Sequence, residues 1–121
     1  MRPVFLNLFA IRMPVGAVVS ILHRVTGVLL ALLLPLALYL LQLSLESGAG
    51  FARVQAWFES SAARIAVLAC VAVYAQHLLS GLRHLLLDLD VGTALPAARR
   101  SAGWVCVGSA VVVVIGGILL I

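Results

Sequence analysis

Three long stretches without a charged residue constrain this chain more than any other feature of its sequence. They cover residues 25–45, 65–82 and 101–121, and all eight basic and four acidic residues lie outside them. An α-helix needs about 20 residues to cross a hydrocarbon core, so each stretch is long enough to span a membrane. Because lipid offers the backbone no hydrogen bonds, such segments form helices. The sequence therefore predicts an all-α integral membrane protein with three transmembrane helices.

The composition leaves little of the chain for any other kind of domain. Of its 121 residues, 64% are hydrophobic and 10% are charged, whereas about a quarter of the residues in soluble domains are charged. We expect a single membrane-anchor domain over residues 1–121, with no soluble catalytic domain. The first charge-free stretch starts too late and is too long for a cleaved signal peptide.

Breaks in the apolar pattern divide the chain into its expected elements. We expect an N-terminal arm at residues 1–13, followed by helix 1 at 14–45, helix 2 at 61–89 and helix 3 at 101–121. A short amphipathic segment at residues 51–61 is expected at the outer interface. Cys70 and Cys106 are expected near opposite membrane faces, too far apart for a disulfide.

The placement of arginines predicts the orientation of the helices. Only basic residues count in the positive-inside rule. Three arginines precede the first charge-free stretch, two lie in the first connection and three in the second. This bias places the N-terminus and the second connection in the cytoplasm, and the C-terminus in the periplasm.

The segment HLLSGLRHLLLD, residues 77–88, carries two of the three histidines. An α-helix turns about 100° per residue, which places His77 and His84 on one stripe of its surface. Gly81 and Asp88 lie on the same stripe. A large flat ligand could lie against it, because Gly81 has no side chain to hold the ligand away from the backbone.

A second polar stripe lies on helix 1. The spacing i, i+3, i+4 and i+7 places four residues on one face of this helix, namely Ser20, His23, Arg24 and Gly27. Gly27 with Ala31 also fits the small-xxx-small pattern of helix packing, and we favour that interpretation for Gly27. In the predicted topology both stripes lie near the cytoplasmic face, so two independent polar clusters converge at one membrane depth.

His77 has a structural and a functional interpretation. A histidine in a membrane span commonly forms an interhelical hydrogen bond. Here a glycine, a second histidine and a cationic stripe accompany it, which suits an axial haem ligand with cationic partners for the propionates. Few other metal-ligating side chains lie at that depth, which argues against a zinc site.

Ser20 and Arg24 also have two interpretations. An isolated serine often bonds back to its own helix, and an isolated arginine often reaches lipid phosphate. One turn apart, the two side chains could instead donate hydrogen bonds to a quinone carbonyl oxygen, where negative charge develops on reduction.

Both stripes lie within segments that resemble the signatures of a known family. The segment RPVFLNLFAIRMPVGAVVSILHRVTGV, residues 2–28, is similar to the N-terminal signature of the cytochrome b-type membrane-anchor subunit of succinate dehydrogenase, respiratory complex II. HLLSGLRHLLLD resembles the second signature of that family, and the two stand in the expected order. Family members often have glycine two residues after the motif aspartate, where this chain has Asp90.

The resemblance implies that haem b is held between this chain, the larger of two anchor subunits, and a second small anchor, each giving one axial histidine. The matching ligand here is His77, and the residues near the haem propionates are His84, His23 and Arg24. The resemblance also implies a ubiquinone site to which Ser20 and Arg24 contribute.

The resemblance further implies two larger partners, an iron–sulfur subunit and a flavoprotein subunit that hold the iron–sulfur clusters and FAD. Succinate oxidation belongs to the flavoprotein, so we expect no catalytic residue for succinate in this chain. We expect a multi-pass protein of the bacterial inner (cytoplasmic) membrane, with lipid around it and no nucleic-acid partner.

Two other functions are compatible with the sequence. A quinol:fumarate reductase anchor is a close variant that would work in the opposite direction. A small non-haem transporter or assembly subunit would use the polar stripes only to hold its helices together.

A topology reporter tests the predicted orientation. An enzyme that is active only in the periplasm should be active when fused after Ile121, because the arginine bias places that end outside. The same enzyme fused before Met1 should be silent. The reverse pattern would place both polar stripes at the opposite membrane face.

Overall fold

The computed structural model describes residues 12–120, which fold into four helices joined by short connections. The helices are α1 (Val15–Glu46), α2 (Gly48–Phe58), α3 (Ser61–Asp88) and α4 (Leu95–Leu120). Three of them, α1, α3 and α4, are long and apolar enough to cross a membrane, and residues 12–120 contain no strand. The predicted all-α protein with three transmembrane helices is confirmed. Most of the expected arm, residues 1–11, lies outside the described residues.

The charge-free stretches predict the middles of the helices better than their ends. α1 begins just after Pro14, whose backbone is extended, and runs through Pro35 without a break. α4 begins at Leu95, well before the expected start at residue 101. Pro96 fits the first turn of this helix, where its missing N–H costs no hydrogen bond. A charge-free stretch therefore marks the part of a helix that can lie in the hydrocarbon core of the membrane. The helix itself extends beyond that stretch.

The short helix α2 connects α1 to α3. Ser47 separates α1 from α2 with an extended backbone, and its hydroxyl oxygen accepts a hydrogen bond from the N–H of Gly50 at 3.0 Å. A serine in this position stabilises the helix because it satisfies a free N–H of the first turn. At the other end of α2, Trp57 and Phe58 pack edge to face with ring centroids 5.1 Å apart. The helix overlaps the expected amphipathic segment but begins earlier, at Gly48.

The chain leaves α3 through a residue in the left-handed conformation. Asp90 has φ 60°, and its N–H donates to the carbonyl of Leu87 at 3.0 Å. The N–H of Val91 donates to the carbonyl of Leu86 at 2.9 Å. These two bonds form a Schellman motif, whose left-handed position is usually glycine. Aspartate tolerates that conformation better than most residues, so Asp90 keeps the exit geometry that a glycine would give.

Small side chains bring the three long helices together. Val19 of α1 and Ala102 of α4 are fully buried, with Val105 and Leu79 packed beside them. Most large apolar side chains instead face outward, as Leu32 does with 71% of its surface exposed. Lipid tails are as apolar as leucine, so close backbone approach, not burial of large side chains, holds such helices together.

The two cysteines lie on different helices and form no disulfide. Cys70 of α3 is half-buried, and Cys106 of α4 is exposed. The expectation of unpaired cysteines is confirmed, and each behaves as a small apolar side chain.

Arg83 links α3 to α4 from a buried position. It is 8% exposed; its Nε donates to the hydroxyl of Ser101 at 3.1 Å, and its Nη2 donates to the carbonyl of Ala98 at 3.1 Å. A Cβ added to Gly16 would lie 3.5 Å from the same Nη2, so the guanidinium also lies against the start of α1. From the sequence, Arg83 is only one of the three arginines of the second connection. The rigid fork of donors makes it a cross-link among the three long helices.

Replacing Arg83 with methionine should weaken the packing of α4 on α3. The substitution keeps most of the apolar stem but removes both hydrogen bonds, and we expect the free energy of unfolding to fall by about 2 kcal/mol. Arg99→Met is the control, because Arg99 is exposed and surface substitutions usually change stability by less than about 0.5 kcal/mol. Unfolding in detergent, followed by circular dichroism, measures both variants. Equal losses in the two would show that Arg83 does not link the helices.

Candidate functional site

The ring of His23 stacks with the rings of both other histidines of the chain, at one end of the bundle. The His23 ring lies 4.3 Å from the His77 ring, with 13° between their planes, and 5.0 Å from the His84 ring, with 21° between planes. His23 comes from α1, whereas His77 and His84 are two turns apart on α3. The structure therefore brings the two polar stripes into contact, and we call the three side chains the histidine cluster.

His77 is fixed by two oxygen atoms of α1. Its Nδ1 lies 3.1 Å from the carbonyl oxygen of His23 and 3.3 Å from Oγ1 of Thr26. A carbonyl oxygen can only accept, so Nδ1 carries the proton and donates it to this bond. In the neutral imidazole the other ring nitrogen, Nε2, then has a free lone pair, which is the form that ligates a metal.

Thr26 belongs to the site, although the spacing of the polar stripes predicts no role for it. It is 6% exposed, and its hydroxyl donates to the carbonyl of Leu22 at 2.7 Å. Two features of the sequence point to it: Thr26 lies within the signature-like segment 2–28, and it follows His23 by three residues, which makes the two neighbours on the surface of α1. A threonine there usually bonds to its own helix, so its second contact, with His77 of α3, depends on how the two helices are rotated.

Two glycines make room for the rings of the cluster. A Cβ on Gly27 would lie 3.0 Å from Cε1 of His77, and a Cβ on Gly81 would lie 3.2 Å from Nε2 of His23. Gly27 is thus a helix-packing position, as the sequence suggests. The group that packs against it is the imidazole ring of His77. Gly81 was expected to admit a flat ligand, and in this structure the His23 ring lies over it. The space beside Gly81 therefore holds a flat ring, the imidazole of His23 from α1.

His84 is held by its own helix. Its Nδ1 lies 2.6 Å from the carbonyl oxygen of Ser80, one turn earlier, so it also donates from Nδ1 and leaves Nε2 free. Hydrogen bonding alone therefore does not separate His84 from His77 as a ligand. The difference is that α1 holds His77 across the helix interface, while α3 holds His84 locally.

Ser20 and Arg24 lie beside the histidine cluster along α1. Ser20 is half-buried, and Arg24 is exposed. Neither takes part in the hydrogen bonds and ring stacks that join the three histidines among residues 12–120. The fourth member of the stripe on α3, Asp88, is exposed at the end of that helix.

The donors of this site fit a haem better than a metal held by protein alone. Within residues 12–120 no three or more histidine, cysteine or acidic side chains are grouped so that they could hold a metal ion. Haem iron needs only one imidazole nitrogen on each side of its ring. An imidazole with an anchored Nδ1–H and a free Nε2 is that donor, and His77 has this form.

Comparisons with known proteins point to one family. Residues 1–116 match the family described as succinate dehydrogenase/fumarate reductase transmembrane subunit. The succinate dehydrogenase cytochrome b556 subunit of Coxiella burnetii is 35% identical over 118 residues, which cover 97% of this chain and 94% of that protein. The protein of the same name from Paracoccus denitrificans is 31% identical over 114 residues, which cover 94% of this chain and 88% of that protein.

Proposed function

Because the chain belongs to the succinate dehydrogenase/fumarate reductase transmembrane subunit family, we propose that it is the cytochrome b-type membrane anchor of a succinate:quinone oxidoreductase. Both relatives are bacterial and named as cytochrome b556 subunits of succinate dehydrogenase, which supports an inner-membrane location. The anchor joins an iron–sulfur subunit and a flavoprotein at its cytoplasmic face. The flavoprotein, with FAD, oxidises succinate.

The hydrogen bond from His77 to the His23 carbonyl is the observation that carries the haem proposal. It fixes the ring across a helix interface at 3.1 Å and leaves Nε2 free to ligate iron. His77 would hold the haem iron through Nε2, and a second anchor subunit would contribute a histidine of its own. When bound, haem b accepts and releases one electron at a time. His84, His23 and Arg24 would be the polar and cationic partners of the propionates, because all three lie near His77 in the sequence stripes.

The quinone proposal rests on Ser20 and Arg24. Both lie on one face of α1, one turn apart, at the end of the bundle that holds the histidine cluster. Reduction of ubiquinone builds negative charge on its carbonyl oxygens, and donors placed there lower the barrier. Ser20 supplies one O–H, and Arg24 supplies a permanent positive charge with several N–H groups.

A fumarate-reducing anchor is the second candidate, because the family description covers both enzymes. The names of the two relatives favour succinate oxidation. A reduced-minus-oxidised optical spectrum of the purified complex separates both from a non-haem transporter or assembly subunit, since only the electron-transfer anchors give a b-type signal. Relative rates with succinate and with quinol plus fumarate then separate the two directions.

Replacing His77 with alanine should remove one axial ligand. We expect haem to be lost or to become high-spin, measured by optical and electron paramagnetic resonance spectra of the isolated complex. His84→Ala is the matched control, because His84 has the same donor form on the same stripe and should leave haem low-spin. If His84→Ala removes the low-spin signal and His77→Ala preserves it, the two roles are exchanged.

Replacing Ser20 with alanine should slow quinone reduction without affecting succinate oxidation. Losing one donor to a developing oxyanion typically costs on the order of a hundredfold in rate in acyl-transfer sites. The measurement pairs two assays on membranes, succinate to ubiquinone and succinate to a soluble dye that accepts electrons upstream of the anchor. Ser44→Ala is the control, because Ser44 lies near the other end of α1 and bonds to Leu41 of its own helix. A wild-type quinone rate, or an equal loss in both assays, would remove Ser20 from the quinone site.

A further inference from the structure

We propose that Thr26 is a positioning residue for the haem ligand: its hydroxyl oxygen shares the Nδ1–H of His77 with the carbonyl of His23. This inference rests on the proposed role of His77 and adds a residue outside both sequence stripes. Thr26 does not touch the iron. It sets the orientation of the ligand and the electron density that the ligand donates.

The geometry is that of one N–H shared between two acceptors. Nδ1 of His77 lies 3.1 Å from the His23 carbonyl oxygen and 3.3 Å from Oγ1 of Thr26. The Thr26 hydroxyl can donate its one hydrogen to either of two carbonyl oxygens of its own helix, that of Leu22 at 2.7 Å or that of His23 at 3.0 Å. The lone pairs of Oγ1 are therefore the part of the hydroxyl that His77 meets, and Thr26 acts on His77 as an acceptor.

Packing keeps the hydroxyl in this place. Thr26 is 6% exposed, and a β-branched side chain in a helix has few alternative rotamers. The neighbouring position, Gly27, brings the backbone of α1 against the same ring, since a Cβ there would lie 3.0 Å from Cε1 of His77. Two successive residues of α1 thus define both the position and the bonding of one imidazole.

The electronic consequence follows from the sharing of the proton. An acceptor on the outer nitrogen of a ligating histidine makes the inner nitrogen more basic. A more basic ligand stabilises ferric iron more than ferrous iron and lowers the midpoint potential of the haem. Removing the Thr26 acceptor should therefore raise that potential. His84 has no such contact with α1, because its Nδ1 bonds within α3.

The test uses Thr26→Val in the intact complex, because valine keeps the shape of threonine without its hydroxyl. Redox titration of the haem should show a higher midpoint potential than in the wild type, and the low-spin electron paramagnetic resonance signal should shift with it. At a fixed ambient potential, we expect the ferrous-to-ferric ratio to rise between about twofold and tenfold; tenfold corresponds to 59 mV for one electron. Haem content should stay at the wild-type level.

Two comparisons isolate the hydroxyl. Ser109→Ala removes another buried hydroxyl that bonds to its own helix, at 2.9 Å from the Val105 carbonyl in α4, and should leave the potential unchanged. Thr26→Ser and Thr26→Ala differ only in the hydroxyl, so the serine variant should keep the wild-type potential and the alanine variant should not. This pair decides the question if valine prevents assembly.

A wild-type potential in Thr26→Val or Thr26→Ala overturns the positioning role. An equal shift of the midpoint potential in Thr26→Ser also overturns it, because the hydroxyl would then not matter. An equal shift in Ser109→Ala overturns it too, because the location of the hydroxyl would then not matter. If the positioning role of Thr26 fails but His77→Ala loses low-spin haem in the same series, the assignment of His77 as haem ligand still stands. If His77→Ala keeps low-spin haem, both the ligand assignment and the positioning role fall.

Discussion

Polar groups buried among these helices have no water to bond, and this constraint organises the bundle. An unsatisfied polar group in hydrocarbon costs several kcal/mol. Within residues 12–120 every buried side-chain nitrogen or oxygen has a hydrogen-bond partner. Ser109 finds its partner on its own helix, whereas Arg83 reaches α4 and His77 reaches α1. Hydrogen bonds from one helix to another fix the rotation of each helix about its axis. Contacts between small apolar side chains alone would define that rotation less well.

The sequence predicts the fold well because the membrane allows few alternatives. Charge-free stretches identify the three spans, and the helical repeat places His77 and His84 on one stripe. Contacts between helices are harder to predict, because they depend on rotation and depth. For that reason the sequence gives no role to Thr26, whose hydroxyl would ordinarily bond only within α1. Arg83 is missed for a related reason, since an arginine at the end of an apolar stretch ordinarily reaches lipid or water.

The histidine cluster lies at the edge of the bundle and not in its middle. All three rings are half-buried, while the fully buried positions are small residues such as Val19 and Ala102. A cofactor shared between subunits requires this arrangement, because a ligand enclosed by its own chain could not meet a second chain across the iron. In the proposed haem site, α1 would hold His77 on one side, and its half-buried position would let the cofactor meet a second chain.

The principal acceptor of His77 belongs to the main chain. A carbonyl oxygen is present whatever side chain stands at position 23, so mutation cannot delete it while α1 stays helical. Loss of the His23 imidazole removes a stacked ring and leaves that hydrogen bond in place. The orientation of the His77 ring is thus protected against most single-base changes in the codon for residue 23. Sequence divergence at that position would leave this hydrogen bond intact, and a comparison of sequences alone would not reveal that the bond exists.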